Sequence, residues 1–119
     1  MRERDVAIPS AFGLAGVLCL PEDARSVPAI LLLGGSGADT RDGDLEPGWP
    51  PGTPDLPAPG TLRRIAHHLA AAGIGSLRWD RRGFGGSGGS PEDSDYTSDL
   101  EDALAALEWL RPQVGAVAV

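Results

Sequence analysis

The sequence lacks lysine, has a single cysteine and contains no long apolar run. Because all ten basic residues are arginine, chemistry that needs a lysine, such as Schiff-base formation or the phosphate-binding P-loop, is excluded. Cys19 alone can form neither a disulfide framework nor a cysteine-rich zinc site. No run is apolar enough to span a membrane, and no apolar core of a secretion signal follows Met1. We therefore expect a cytoplasmic protein without membrane span, metal or cofactor.

Basic charge is also scarce. The chain has 17 acidic and 10 basic residues, and its formal net charge is −7. A nucleic-acid partner requires a basic surface that displaces counterions from phosphates, so we expect none. The 119 residues are enough for one domain, assigned here to residues 1–119. The 17 glycines and 11 prolines are unusually numerous and indicate irregular or functional loops.

The first third of the chain predicts strands. Val6 and Ile8, then residues 14–20, form an expected antiparallel hairpin around the turn-prone residues 9–13. Residues 28–33 are continuously apolar and end at a glycine-rich turn, as expected of a central parallel strand. Residues 44–60 contain six prolines, which exclude a helix or a central strand and predict an extended surface loop.

The remaining segments alternate between helix and strand. A helix should begin at Thr61 and end near Gly73, followed by a strand over residues 74–79. A second helix should begin at a capping box formed by Ser98 and Glu101. Residues 114–119 predict a buried fifth strand. The expected buried side chains of the helices are Leu62, Ile65, Ala66 and Leu69, then Leu100, Ala103, Leu104, Leu107 and Leu110.

The resulting order is β-β-β-α-β-α-β, which predicts an α/β fold with an amino-terminal hairpin and a parallel β-α-β-α-β part. The fifth strand has no following helix in this sequence. A sheet with an uncovered apolar strand is prone to aggregation. We therefore interpret the chain as a domain truncated after its fifth strand.

The glycine-rich turn at residues 34–37 has two possible roles. Its backbone N–H groups, above all those of Ser36 and Gly37, could form part of an oxyanion hole, because glycine allows close backbone approach to a ligand oxygen. It could equally be a plain tight turn. The turn lacks the G-x-G-x-x-G pattern of dinucleotide-binding loops.

Residues 85–89 match G-x-S-x-G, the nucleophile elbow, around Ser87. The elbow requires a strand directly before the serine and a helix directly after it. Here several loop residues separate Ser87 from the strand that ends near Asp80, and the next helix begins about ten residues later. We interpret this match as a decoy, so no catalytic residue is assigned within the chain.

The same loop fits D-x-R-G-x-G-x-S through Asp80, Arg82, Gly83, Gly85 and Ser87. With this motif the sequence resembles the α/β-hydrolase superfamily over nearly its whole length. The resemblance implies a structural role for the motif after the fourth strand, and an oxyanion-hole N–H from the turn after the third. Residues 35–43 are similar to bacterial esterases and dienelactone-hydrolase-like members. Gly34 stands where many relatives have histidine, which departs from the pattern.

The resemblance also implies what the chain lacks. In that superfamily the fifth strand leads into the nucleophile elbow, and the acid and the histidine come later. His67 and His68 precede the fourth strand, so we interpret them as partly exposed helix residues. The expected function is that of an amino-terminal fragment of a serine hydrolase, inactive alone. The complete enzyme would act on a small-molecule ester or acyl substrate, with the missing carboxy-terminal half as partner.

Two other hypotheses stay open. The chain could be a noncatalytic binding or interaction module derived from the same fold, or a Rossmann-like nucleotide domain. Cooperative folding of the isolated chain would favour the module, and nucleotide binding would favour the third hypothesis.

Several polar and aromatic residues have structural explanations. The acidic residues Asp39, Asp42, Asp44 and Glu46 lack the EF-hand spacing, so a solvated loop is expected there. Asp80 and Arg82 should hold their loop through hydrogen bonds to the backbone. Trp49 should either line an acyl pocket or pack on its neighbouring prolines, and Trp79 should belong to the core.

Overall fold

Five strands and two α-helices occur in the residues that the structure, a computed structural model, describes, namely 1–22, 26–34, 39–52, 54 and 57–119. Their order is the predicted one. The elements are β1 (Arg2–Ile8), β2 (Leu14–Leu20), β3 (Ala29–Leu31), α1 (Thr61–Ala71), β4 (Gly75–Trp79), α2 (Tyr96–Leu110) and β5 (Val117–Ala118), with 3₁₀ turns at Pro91–Asp93 and Arg111–Gln113.

The strands form one sheet in the order β1-β2-β4-β3-β5. β1 and β2 are an antiparallel hairpin in which Arg2 pairs with Leu20 and Ile8 with Leu14. β2 is antiparallel to β4, whereas β3 is parallel to both β4 and β5. The carboxyl ends of β3, β4 and β5 therefore lie at one edge of the sheet, where open α/β sheets bind ligands.

The third and fifth strands are shorter than predicted. β3 ends at Leu31, and Leu33 is exposed. β5 consists of Val117–Ala118 at the edge of the sheet, and neither residue is buried. The prediction of a buried strand over residues 114–119 is wrong for the described residues, because β5 pairs with β3 on one side and lacks a second neighbour there.

The two helices cover opposite faces of the sheet. Leu18 packs in the main apolar cluster with Ala106 and Leu110 of α2. Cys19, the next residue of β2, packs with Ala66 and Ala70 of α1. Because successive side chains of a strand point to opposite faces, each helix has its own face. Trp79 packs at the border of the main cluster, as predicted.

The predicted helix faces are partly wrong. In α1, Ala66 is buried but Ile65 is exposed. In α2 the buried residues are Ser98, Asp102, Ala106 and Leu110, while Leu100 and Leu104 are 52% and 58% exposed. The buried face of α2 includes Asp102, because this residue pairs with Arg82 from the loop before the helix.

The amino-terminal cap of α2 also differs from the prediction. Asp95 is the N-cap residue, and its carboxylate accepts a hydrogen bond from the Ser98 amide at 2.7 Å. The Ser98 hydroxyl lies 2.7 Å from the Asp95 amide, which completes a capping box one turn earlier than predicted. No helix in the described part of the chain is long and apolar enough to cross a membrane.

Candidate functional site

The loop from residue 80 to residue 95 leaves β4 at the edge of the sheet where the parallel strands have their carboxyl ends. Its first residue, Asp80, is buried. The Asp80 carboxylate accepts hydrogen bonds from the Arg41 amide at 2.7 Å, the Arg41 Nη2 at 2.9 Å and the Gly86 amide at 2.8 Å. Asp80 therefore joins the segment after β3 to the loop after β4. This hydrogen bonding to Asp80 raises the pKa of the Arg41 guanidinium.

A tight turn at Gly83 folds the loop back on itself. Gly83 has a φ of 84° and donates its amide hydrogen to the Gly88 carbonyl at 2.8 Å. A Cβ on Gly83 would collide with the Ser90 carbonyl, so both the φ and the close approach require glycine. The Gly88 amide donates to the Gly13 carbonyl at 2.9 Å, which ties the loop to the start of β2.

Arg82 holds the loop to α2. Its Nε and Nη2 donate to the two carboxylate oxygens of Asp102 at 3.0 and 2.8 Å. Only 7% of the Arg82 side chain and 3% of the Asp102 side chain are exposed. The hydrogen bond to Asp102 raises the pKa of Arg82. The prediction of hydrogen bonds to the backbone is therefore correct for part of the contacts of Asp80. It is wrong for Arg82, which binds carboxylates.

Ser87 lies in the interior of this loop. Its hydroxyl donates to the Asp80 carbonyl at 2.6 Å and accepts a hydrogen bond from the Ala15 amide at 3.0 Å. Eight positions separate Ser87 from the end of β4 at Trp79, and α2 begins at Tyr96. The hydroxyl thus joins the loop to β2, and no histidine is among the hydrogen-bond partners found for it in the described residues.

The sequence did not predict roles for two further arginines, Arg41 and Arg81. Arg41 lies in the esterase-like segment of residues 35–43, which was a signal for its importance but not for its partner. Arg81 pairs with Asp99 of α2 through two hydrogen bonds of 2.9 and 3.0 Å. Arg82 is a fixed position of the D-x-R-G motif, whereas Arg81 is its variable position, so the motif did not predict a role for Arg81.

The acidic residues after β3 are not a solvated cluster. Asp39 is buried, and its carboxylate lies 3.8 Å from Arg81 Nη1. Asp42 pairs with the buried Arg78 of β4 at 3.4 Å. Asp44 accepts a hydrogen bond from the Gly60 amide at 3.2 Å. The expected solvated loop is therefore wrong, because these carboxylates bind partners within the protein.

Ser36 and Gly37, the oxyanion-hole candidates, lie outside the described residues. The residues on either side of them are anchored to β4 and its loop. The Leu32 amide donates to the Leu77 carbonyl, and the Arg81 amide donates to the Asp39 carbonyl, both at 2.9 Å. Leu32 and Asp39 are thus held at the edge of the sheet where the parallel strands have their carboxyl ends.

The histidines of α1 lie away from that edge. His67 Nε2 is 2.6 Å from the Glu3 carboxylate on β1, and His68 is exposed in the last turn of α1. Their positions agree with partly exposed helix residues. In the described parts of the chain no three His, Cys, Asp or Glu side chains form a group that could hold a metal ion.

A cavity of about 460 Å³ opens in the proline-rich segment and is lined by residues 43–49, 54 and 57–59. Trp49 lines it, and the Trp49 ring packs edge-to-face on Phe84, with centroids 5.7 Å apart. The Gly85 amide donates to the Glu46 carboxylate at 2.5 Å. Trp49 thus lines a cavity together with its neighbouring prolines, and its role in an acyl pocket stays a prediction.

No family model matches the sequence, and no curated protein matches it either. Solved structures do match. Est1E from Butyrivibrio proteoclasticus, solved with ferulic acid, has a TM-score of 0.70 and 19% identity. An α/β serine hydrolase homologue from Coxiella burnetii has a TM-score of 0.65 and 19% identity. The α/β hydrolase GrgF from Penicillium sp. sh18 has a TM-score of 0.62 and 22% identity.

The matches cover nearly all of this chain but less of the other proteins. They include 94%, 99% and 100% of the chain, and 40%, 51% and 38% of Est1E, the Coxiella protein and GrgF, respectively. The chain thus spans about half or less of the length of the structures it matches. These likenesses and the sheet order confirm the predicted fold class: the chain has part of the α/β-hydrolase fold.

Proposed function

We propose that this chain is the amino-terminal part, residues 1–119, of a single hydrolase domain that cleaves carboxylic esters or related acyl substrates. The observation that carries the proposal is the strand order β1-β2-β4-β3-β5, which hydrolases of known structure match over nearly the whole chain. The parallel strands end at one edge, and there Leu32 and Asp39, which flank the residues of the first glycine-rich turn, are hydrogen-bonded to β4 and its loop. A cytoplasmic location belongs to the same proposal.

In this proposal the backbone N–H of Ser36, with that of Gly37, contributes to the oxyanion hole. Preorganised N–H donors stabilise the charge that develops on the carbonyl oxygen in the transition state. The hydrogen bonds that hold Leu32 and Asp39, which flank these residues in the sequence, to β4 and its loop support this role.

The catalytic serine, histidine and acid would lie in residues that follow β5. The serine hydroxyl would attack the acyl carbon, and the histidine would accept its proton and pass it to the departing alcohol as the ester C–O bond breaks. Water would then release the acid by the same route. Ser87 is an unsuitable nucleophile, because its proton is engaged with the Asp80 carbonyl.

Exposed apolar side chains support a missing part of the domain. Tyr96, Leu100 and Leu104 are spaced four residues apart on α2 and are all exposed. Val119 is 74% exposed beside the edge strand β5. A hydrolase domain that continues after β5 would cover this surface and pair with that strand.

The experiment uses the full product of the gene, including whatever is encoded after Val119. Hydrolysis of p-nitrophenyl acetate and labelling by a fluorophosphonate should both occur, and the labelled serine should lie outside residues 1–119. The Ser87→Ala variant should hydrolyse the ester at an unchanged rate. Absence of both activities, or a label on Ser87, would refute the proposal.

A second candidate is a noncatalytic interaction module. It is favoured by the apolar clusters on both faces of the sheet, which give the described residues a core of their own. Thermal unfolding of residues 1–119 distinguishes the two. A monomer with a cooperative transition favours the module, whereas an insoluble or molten chain that becomes ordered with a carboxy-terminal fragment favours the hydrolase part.

A further inference from the structure

The cavity in the proline-rich segment is at the right edge of the sheet for a substrate pocket. Two of its lining residues, Gly43 and Asp44, lie in the segment between β3 and α1, twelve and thirteen positions after Leu31. The Asp44 carbonyl accepts the amide hydrogens of Asp39 and Thr40, both at 2.9 Å. The cavity is thereby joined, through a few hydrogen-bonded residues, to the segment that contains the oxyanion-hole candidates.

The cavity is held open by contacts with two other parts of the molecule. Asp44 binds the Gly60 amide at the start of α1, and Glu46 binds the Gly85 amide in the loop after β4. The Trp49 ring rests against Phe84 of that loop. Proline has little backbone freedom to lose, so walls built of proline add to this order. A pocket that is ordered before binding loses little entropy when a ligand enters.

The lining defines the chemistry of the ligand. Apart from two glycines and two carboxylates it is apolar, and it consists of Leu45, Trp49, Ala58 and the prolines at 47, 54, 57 and 59. Its volume of about 460 Å³ falls in the range of small-molecule sites. Indole and pyrrolidine rings offer flat surfaces for a planar ring. The carboxylates of Asp44 and Glu46 oppose an anion by Coulomb repulsion.

We propose that this cavity binds the uncharged aryl group of an ester substrate, with Trp49 as the residue that determines specificity. The proposal rests on the proposed hydrolase function, because it assigns the group beside the scissile bond. In this proposal the proline-rich segment binds the aryl group, a role that the glycine-rich loops do not have.

The first test is a binding experiment that needs no catalysis. The full gene product is labelled with fluorotryptophan, and the Trp49 signal in the fluorine NMR spectrum is assigned by its absence in Trp49→Phe. Titration with methyl benzoate should shift the Trp49 signal in a saturable way. Methyl cyclohexanecarboxylate and the benzoate anion should each bind at least about tenfold more weakly. Equal binding of the three probes, or no shift of the Trp49 signal up to the solubility limit, would overturn the proposal.

Variants test the role of Trp49 itself, with binding followed by calorimetry. Trp49→Ala should weaken methyl benzoate binding at least about tenfold, whereas Trp49→Phe, which keeps a ring, should weaken it by about threefold or less. Phe12→Ala removes a half-exposed aromatic ring that does not line the cavity and is the matched control. Circular dichroism checks that each variant folds. Unchanged binding in a folded Trp49→Ala would also overturn the proposal.

The outcomes separate this inference from the proposed function. Hydrolysis of p-nitrophenyl acetate without binding of methyl benzoate at Trp49 would retain the hydrolase and remove the aryl pocket. Binding at Trp49 without hydrolysis or fluorophosphonate labelling would retain the pocket and remove the hydrolase. If both are present, Trp49→Ala should reduce kcat/KM for methyl benzoate by a larger factor than kcat/KM for methyl acetate.

Discussion

Two glycine-containing segments leave neighbouring parallel strands at the same edge of the sheet, and they are ordered by different means. The segment after β4 is held by charged pairs, in which Asp80 binds Arg41 and Arg82 binds Asp102. The segment after β3 is held by such pairs only as far as Asp42, and beyond it the chain runs through exposed prolines, where the carboxylates of Asp44 and Glu46 bind the backbone amides of Gly60 and Gly85. Two segments that are both rich in glycine can therefore be held in place by different contacts, because the side chains around each segment determine those contacts.

The comparison is tested most strongly at the ion pairs between the β4 loop and α2. Asp102→Asn breaks the buried pair and leaves Arg82 only the exposed Glu101 carboxylate at 3.4 Å, so the free energy of unfolding should fall by about 3 kcal/mol. Asp99→Asn is the matched control, because the Arg81–Asp99 pair joins the same loop and helix but is 34% and 43% exposed. Its loss should be about 0–1 kcal/mol. Urea denaturation measures both, and equal losses would contradict the importance of burial.

Asp80 should be the next most sensitive position, because it joins the two segments. Asp80→Asn removes the charge that Arg41 binds and should lower the free energy of unfolding by about 2–3 kcal/mol. The control is Asp5→Asn, since Asp5 also pairs with Arg41, at 3.4 Å, but its side chain is 90% exposed. That variant should lose about 0.5 kcal/mol or less. A similar effect of both variants in urea denaturation would show that Asp80 has no special role.

Glycine substitutions separate backbone conformation from crowding in the two segments. Gly83→Ala combines a φ of 84° with a collision against the Ser90 carbonyl, and we expect a loss of at least about 2 kcal/mol. Gly52 of the proline-rich segment has a φ of 87° and open space around its Cα. Gly52→Ala should therefore cost only about 1 kcal/mol. Thermal unfolding gives both values, and an equal cost would mean that the Ser90 contact relaxes freely.

Ser87 tests whether its hydroxyl is structural. Ser87→Ala leaves the Ala15 amide and the Asp80 carbonyl without this partner and should lower the free energy of unfolding by about 1–2 kcal/mol. Ester hydrolysis by the full gene product should not change. Ser94→Ala is the control, because the buried Ser94 hydroxyl has no hydrogen-bond partner among the described residues. If neither variant lowers the free energy of unfolding, the structural role of Ser87 is contradicted.

The smallest expected effect is at the contact between the two segments. Glu46→Ala should lower the free energy of unfolding by about 0.5–1.5 kcal/mol, since one hydrogen bond to an exposed carboxylate is lost. The Gly85 amide should then exchange its hydrogen faster, as measured by NMR. Glu46→Gln keeps an acceptor and should restore slow exchange. If Gly85 exchanges at the same rate in all three proteins, the two segments are not coupled through Glu46.

Much of the fold was predictable, because it depends on local patterns. β2 has the predicted bounds, 14–20, since apolar residues there end at a glycine and a proline. The start of α2 was not predictable, because Asp95 with Ser98 and Ser98 with Glu101 both satisfy a capping pattern. The structure uses the first pair, which places Ser98 and Asp102 on the buried face of α2.

The sequence predicted where the candidate site lies in the chain, but it did not predict which residues contact each other there. The motif at Asp80, Arg82, Gly83, Gly85 and Ser87 marked the loop after β4, but it named no partner. The exposure of Leu100 and Leu104 shows why apolar spacing alone failed on α2. The face of α2 that packs on the sheet carries Asp102, whose partner Arg82 lies outside the helix, so the helix sequence alone did not identify this face.

By itself the sequence determined the alternation of strands and helices, the proline-rich segment and the unsuitable context of Ser87, because each depends on residues close together in the chain. The tertiary structure alone decided that Arg82 meets Asp102, twenty positions later, and that Trp49 meets Phe84 beside a cavity. Such contacts depend on how the sheet brings its strand ends together, and no local pattern encodes those distances.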